Sequence, residues 1–216
     1  MKTLLKYGIV FWARRLKTLP VNRPSFIASA LACDGQTSED ELRLLARYAA
    51  QVSSGEKILE VGSFRGRSCV AIAGPCREGA EVVSVDPYLP ADSAVKGRKF
   101  EYGSLDKEIC LVNLLIAGVA RKVRLLHCVS ACAARCFGQD DRIQMIFIDG
   151  DHSYEGVCAD FGVWFPVLQS DGFMMFHDSV NRHESWGVWR LMEELKLRKD
   201  MELVEVVESV SVFRKI

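Results

Sequence analysis

The chain has 216 residues, 49% hydrophobic and 26% charged, a composition that suits an ordinary globular domain with room for a sizeable core. Its 28 basic residues balance its 28 acidic ones, so no overall basic field argues for nucleic acid as a partner. The absence of any run of about 18 uncharged apolar residues excludes a spanning helix. Eight cysteines are too sparse for the framework of a small secreted domain, and the first residues make a poor secretory signal, so a reduced, cytoplasmic enzyme is expected.

Charge is unevenly placed along the chain. Residues 1–33 hold Lys2, Lys6, Arg14, Arg15, Lys17 and Arg23 and no acid. On a helical wheel Leu4, Leu5, Ile9, Trp12, Leu16 and Leu19 share one side, and Pro20 and Pro24 end the pattern. A basic amphipathic extension is expected over residues 1–34, and the domain proper over 35–216. The extension would serve as a packing arm on the body or on a second subunit of a homo-oligomer. Otherwise residues 1–20 would touch a membrane surface or form a lid.

Beyond Pro24, helical and strand patterns alternate. The run from Thr37 to Glu41 reads as a helix N-cap with acids in its first turn, opening a helix to about Gln51 with Leu42, Leu45, Ala46 and Ala49 inward. Short apolar runs at Lys57–Val61, Glu81–Val85, Val123–Leu126, Ile143–Ile148 and Phe173–Phe176 read as buried strands. Helices are expected near 67–76, 104–120, 130–137, 154–168 and 186–198, with a closing hairpin from Glu202–Val207 and Ser211–Arg214. Such alternation predicts an α/β fold, a doubly wound, mostly parallel sheet covered on both faces. The stretch 88–103, with Pro90, Gly97 and Gly103, is the best candidate for a mobile loop. Cys128, Cys132 and Cys136 recur every four residues and read as small buried hydrophobes, because thiol ligands usually come in paired short spacings.

The first strand runs into a glycine turn, Gly62-Ser-Phe-Arg-Gly66, on the side of the sheet where doubly wound proteins bind ligands. A dinucleotide fingerprint starting at Gly62 would need glycine at positions 64 and 67, which hold Phe64 and Arg67. Glu60 ahead of the turn would repel a pyrophosphate and suits a ligand bearing an ammonium or sulfonium. Asp86 ends the second strand, where a carboxylate can accept ribose hydroxyls. Arg65 and Arg67 could meet a ligand carboxylate, or could be solvated helix-start residues.

Leu59-Glu-Val-Gly-Ser-Phe-Arg-Gly with Val85-Asp86, Ile146-Phe-Ile-Asp-Gly-Asp-His-Ser-Tyr-Glu-Gly-Val and Gly172-Phe-Met-Met-Phe-His-Asp resemble the motifs of class I S-adenosylmethionine (SAM) dependent methyltransferases. The branch they look like is that of small-molecule O-methyltransferases acting on macrolide sugars and catechols. The resemblance runs from about Gly35 to the C-terminus. It implies a seven-stranded Rossmann-like sheet of order 3-2-1-4-5-7-6. It also implies a cofactor site in which Glu60, Gly62, Ser63 and Gly66, with Ser68, border the methionine part of SAM. Asp86 would hold its ribose, and Ser130 would lie near its adenine.

Asp149 follows the fourth strand, Asp151 and His152 come next, and His177-Asp178 ends the fifth. With the first, fourth and fifth strands adjacent at about 4.8 Å spacing, Asp149 and Asp178 can approach one ion. Clustered carboxylates of this kind need a cation or a proton between them. Oxygen ligands suggest Mg²⁺, and His177 as a further ligand would favour Mn²⁺, Fe²⁺ or Zn²⁺. His177 could equally point inward as a satisfied core residue. His152, three residues past Asp149, is placed to take a proton from an acceptor hydroxyl. The resemblance implies the same roles, a metal aspartate followed three positions later by the base. Tyr88, His183, Glu184 and Trp186 would line the pocket of a small hydroxylated acceptor. Two other readings stay open: a nicotinamide-dependent oxidoreductase on a similar sheet, and a catalytically silent SAM-binding module.

Overall fold

The computed structural model describes residues 25–88, 103–182 and 186–216. The basic segment before Ser25, with the helix and the contacts expected of it, lies outside the described residues, as do most of the 88–103 stretch, His183 and Glu184. No helix among the described residues is long and apolar enough to cross a membrane.

In chain order the helices are α1 (Phe26–Leu31), α2 (Glu39–Ala49), α3 (Arg67–Ala73), α4 (Ser104–Ala117), α5 (Ser130–Ala134), α6 (Tyr154–Trp164) and α7 (Val188–Leu195). The strands are β1 (Lys57–Val61), β2 (Glu81–Val85), β3 (Val123–Leu126), β4 (Ile143–Ile148), β5 (Leu168–Phe176), β6 (Met201–Val207) and β7 (Val210–Lys215). They form one seven-stranded sheet of order β3-β2-β1-β4-β5-β7-β6. The first five strands run parallel, and β7 is antiparallel to both β5 and β6. The sequence patterns and the implied strand order match this architecture.

Alternation along the central strands divides the core into two layers. Ile58, Val82, Met145, Phe147 and Met175 face the side covered by α1–α4, where Leu42, Leu45, Tyr48, Ile72 and Leu114 pack. Leu59, Val83, Ile146, Met174 and Phe176 face α6 and α7, against Val157, Trp164, Leu191 and Leu195. With both faces covered, β1, β2 and β4 bury nearly every position, which is why β1 to β4 stood out as short, largely apolar runs.

Several boundaries differ from the sequence patterns. The cap of α2 is Ser38, which forms a reciprocal capping box with Glu41. The helix ends at Ala49, with Leu44 and Tyr48 also buried and Ala46 only partly so. α4 stops at Gly118, whose left-handed conformation closes the helix. β5 begins at Leu168 rather than Phe173: Leu168 pairs with Ile143, and residues 169–172 form an irregularity before pairing resumes with Phe173 opposite Met145. α1 was not expected at all. It buries Ala30, and Phe26 sits where a Cβ on Gly74 would be, so core packing starts eight or nine residues before position 35. All eight cysteines are free. Contrary to their reading as buried hydrophobes, Cys132 and Cys136 are exposed and Cys128 is half-buried, because α5 is a five-residue helix at the domain rim.

Candidate active site

The carboxyl ends of β2, β1, β4 and β5 are stitched together by backbone hydrogen bonds that step from strand to strand. Gly62 N–H donates to Val85 O at 2.9 Å, Asp149 N–H to Val61 O at 2.8 Å, and His177 N–H to Ile148 O at 3.0 Å. Gly62 is at φ +91°, and a Cβ built on it would lie 2.1 Å from the Asp149 carbonyl oxygen. Only glycine therefore lets the β1 turn touch the β4 end. Phe64 at φ 45° and Asp178 at φ 53° also hold left-handed backbone next to this junction.

Asp86 fixes the shape of the turn. Its Oδ2 accepts N–H groups from Ser63 at 2.8 Å and Phe64 at 2.9 Å, and its Oδ1 accepts the Tyr88 N–H at 2.8 Å. Glu60 and Ser68 lie behind the turn rather than in front of it. Glu60 is wholly buried, accepting from Ser68 Oγ at 2.6 Å and from Ser84 Oγ, which in turn pairs with Ser63 Oγ. Both residues brace the turn from this position. Arg65 and Arg67 are engaged by protein groups. Arg65 is ion-paired with Asp106 and Asp34, both at 2.7 Å, and Arg67 donates to the carbonyls of Cys33 and Thr37. Ser130 opens α5 and accepts from Trp164 Nε1 at 2.7 Å, tying α5 to α6.

Complete burial drives the Glu60 carboxyl up to about 7, against the pull of the hydrogen bonds from Ser68 and Ser84. The folded chain thus holds a proton that the unfolded chain releases as pH rises above about 4.5. Glu60's contribution to stability is therefore full below that pH and is lost by about pH 7, at ~1.4 kcal/mol per pH unit. Glu60→Gln cannot titrate, so its stability relative to wild type should improve by roughly 3 kcal/mol between pH 4.5 and 7.5. Urea unfolding at the two pH values measures this, and an unchanged difference would contradict it.

Beside the turn, the second constellation comes together. Asp149, His152 and Asp178 each offer a donor atom within 4.8 Å of the others. His152 lies across the two carboxylates, with Nε2 at 3.2 Å from Asp149 Oδ1 and Nδ1 at 3.4 Å from Asp178 Oδ2. His177 Nδ1 is 3.2 Å from one oxygen of each aspartate. The Nδ1 atoms of both histidines are buried and make no hydrogen bond among the described residues. Burial works against the charge on Asp149, but the His177 cation and the hydrogen bond from His152 outweigh it and hold the carboxyl well below its usual range. His177 is pulled the other way: burial opposes its charge, and the neighbouring Asp149 holds it protonated well above neutrality in the absence of an ion. The Trp186 ring packs edge-on against His152, with ring centroids 4.9 Å apart, and Gly187 N–H donates to the His152 carbonyl at 2.7 Å.

One residue at this site was missed. Glu41 of α2 is buried, and its Oε2 lies 3.4 Å from His177 Nε2. Its place three residues after Ser38 marked it as a helix-start acid, but no local signal joins it to a histidine 136 residues away.

Residues 59–179 match a family model described as a methyltransferase domain, which is more than half of the chain. A 57-residue stretch is 37% identical to the Uncharacterized protein y4gI of Sinorhizobium fredii (strain NBRC 101917 / NGR234), covering 26% of this chain and 6% of that protein's length. Among solved structures, cofactor-bound Rv0187 from MTB superimposes with a TM-score of 0.68 at 15% identity, over 94% of this chain and 95% of that one. The O-methyltransferase from Bacillus cereus in complex with SAH gives 0.65 at 14% identity, over 94% and 96% of the two chains. The O-methyltransferase TomG from Streptomyces achromogenes, in complex with SAM, gives 0.64 at 17%, over 93% and 94%. A methyltransferase family match over this strand order excludes the nicotinamide oxidoreductase alternative, and the chain belongs to the methyltransferase-domain family, on its Rossmann-like fold.

Proposed function

We propose that the chain transfers the methyl group of SAM to a hydroxyl of a small molecule, a sugar or a glycosylated natural product, with a divalent ion and His152 assisting. The observation that carries this reading is the contact between the Gly62 turn and the Asp149 end of β4, which sets the turn directly against the cluster of Asp149, Asp178 and His152, with His177 beside it. The structural neighbours from Bacillus cereus and Streptomyces achromogenes, which hold SAH and SAM, support the donor.

The donor set fits a divalent ion. Atoms bound at about 2.1 Å to one small ion lie roughly 3.0–3.4 Å from each other. The spacing of His177 Nδ1 from each aspartate matches this, and a buried Nδ1 making no hydrogen bond is the atom such an ion would satisfy. Asp149, Asp178 and His177 would hold it, and a mixed oxygen and imidazole set favours Mn²⁺, Fe²⁺ or Zn²⁺ over Mg²⁺. When bound, the ion supplies positive charge that lowers the pKa of an adjacent hydroxyl.

The chain's own residues do the rest. His152 lies between Asp149, with which its Nε2 shares a hydrogen bond at 3.2 Å, and Asp178; these orient the ring, which would take the acceptor proton. Trp186 covers one edge of that ring and limits its exposure to water. Gly62, Ser63 and Gly66 would carry the methionine part of SAM, Asp86 its ribose and Ser130 its adenine side, with Glu60 and Ser68 bracing the turn from behind. His152→Ala should lower turnover by about 100-fold or more while SAM titration stays at wild-type affinity. Unchanged turnover across a panel of hydroxylated acceptors would remove His152 from the chemistry.

A further inference from the structure

Glu41 is a buried carboxylate whose polar contacts come from three separate parts of the fold. Its Oε2 accepts the Ser38 N–H at 2.9 Å and lies 3.4 Å from His177 Nε2. Its Oε1 accepts both the N–H, at 3.0 Å, and the hydroxyl, at 2.5 Å, of Ser209 in the β6–β7 turn. A capping box needs only the Ser38 contact. The other three lock the carboxylate against β5 and the final hairpin, and they aim it at one ring nitrogen of His177.

The imidazole of His177 therefore has two distinct sides. Nε2 faces Glu41, which lies outside the ion cluster, while Nδ1 faces Asp149 and Asp178 at 3.2 Å. A carboxylate opposite one ring nitrogen holds the hydrogen there and leaves the lone pair of the other nitrogen outward. We infer that Glu41 is a positioning residue for the ion site: it fixes His177 as the Nε2–H tautomer and turns Nδ1 toward Asp149 and Asp178. This inference rests on the metal-assisted reading above. It makes α2 and the β6–β7 turn, far from the motifs in sequence, part of the apparatus that sets ion affinity.

The test titrates the full chain with Co²⁺, whose visible absorption reports nitrogen ligation independently of turnover. Glu41→Gln keeps the side-chain shape and one acceptor oxygen, for either Ser38 or Ser209, but loses the charge facing His177. It should weaken Co²⁺ binding by about 10- to 100-fold and alter the absorption band. Ser38→Ala breaks the capping box from its other side. It should lower the thermal unfolding midpoint and leave Co²⁺ affinity within about twofold of wild type. Should Glu41→Gln fail to fold, Glu41→Asp, which keeps the charge on a shorter arm, is read in the same way. Wild-type affinity and spectrum in the Glu41 variant would overturn the inference alone. Failure of the wild-type chain to bind Co²⁺ would overturn the metal-assisted reading and the inference with it.

Discussion

Asp149→Asn is expected to weaken Mn²⁺ binding by more than about 100-fold and to reduce methyl transfer by at least as much. The substitution is nearly isosteric, so its effect is one of charge and ligation. Changing an outer partner of a metal ligand typically costs 10- to 100-fold in affinity, so a direct carboxylate ligand should cost more. Asp149 is also within 3.2 Å of a nitrogen on each of the two histidines, so its loss removes a partner from both at once. The fold should survive, because His177 keeps Asp178 and Glu41 as counter-charges. Titration of Mn²⁺ into Asp149→Asn and His152→Ala separates the two roles: the first variant should lose the ion, and the second should retain it with transfer impaired. Equal Mn²⁺ affinity in wild type and Asp149→Asn would dismiss Asp149 as a ligand.

Gly62→Ala should destabilise the chain by roughly 2–4 kcal/mol, on two grounds. Alanine is strained at φ +91°, and its Cβ would sit 2.1 Å from the Asp149 carbonyl oxygen and 2.7 Å from its carbon. Both opposing atoms are backbone at the end of a central strand, so relief requires moving β4 away from β1. Such a loss corresponds to a fall in Tm of roughly 5–15 °C for a chain of this size. Because the displaced atoms belong to Asp149, ion affinity should fall too. Gly162→Ala is the control: it lies within α6, where an added Cβ meets nothing within 4 Å, and it should gain up to about 1 kcal/mol. Thermal unfolding of the two variants should therefore move in opposite directions, and a Gly62→Ala chain as stable as wild type would show the turn to be looser than described.

The parts of the fold legible in sequence were those whose signal is local. β1 to β4 carry both faces of a covered sheet, so they appear as apolar runs with sharp ends, and each strand end then locates Gly62, Asp86, Asp149 or His152 on one side of the sheet. β5 was legible only in its second half, because residues 169–172 form an irregularity in the ladder and bear the polar side chains of a turn. α1 escaped notice because six residues are too few to show a helical period. Residue types alone did not tell direction. Glu60, Arg65 and Arg67 have the right chemistry for a ligand, yet the first is consumed by buried serines and the other two by Asp34, Asp106 and backbone carbonyls. Glu41 illustrates the opposite failure, since its local reading as a capping acid is correct and its second contact exists only once α2 folds over the end of β5.

A crystal structure of the full chain grown with S-adenosylhomocysteine and Mn²⁺ would address the proposed chemistry most directly. The expected result is an anomalous peak among Asp149, Asp178 and His177, with the cofactor sulfur over the Gly62 turn on the same side as the His152 ring. Density for the cofactor away from that turn, or an ion bound elsewhere with the two aspartates facing only their histidines, would contradict it.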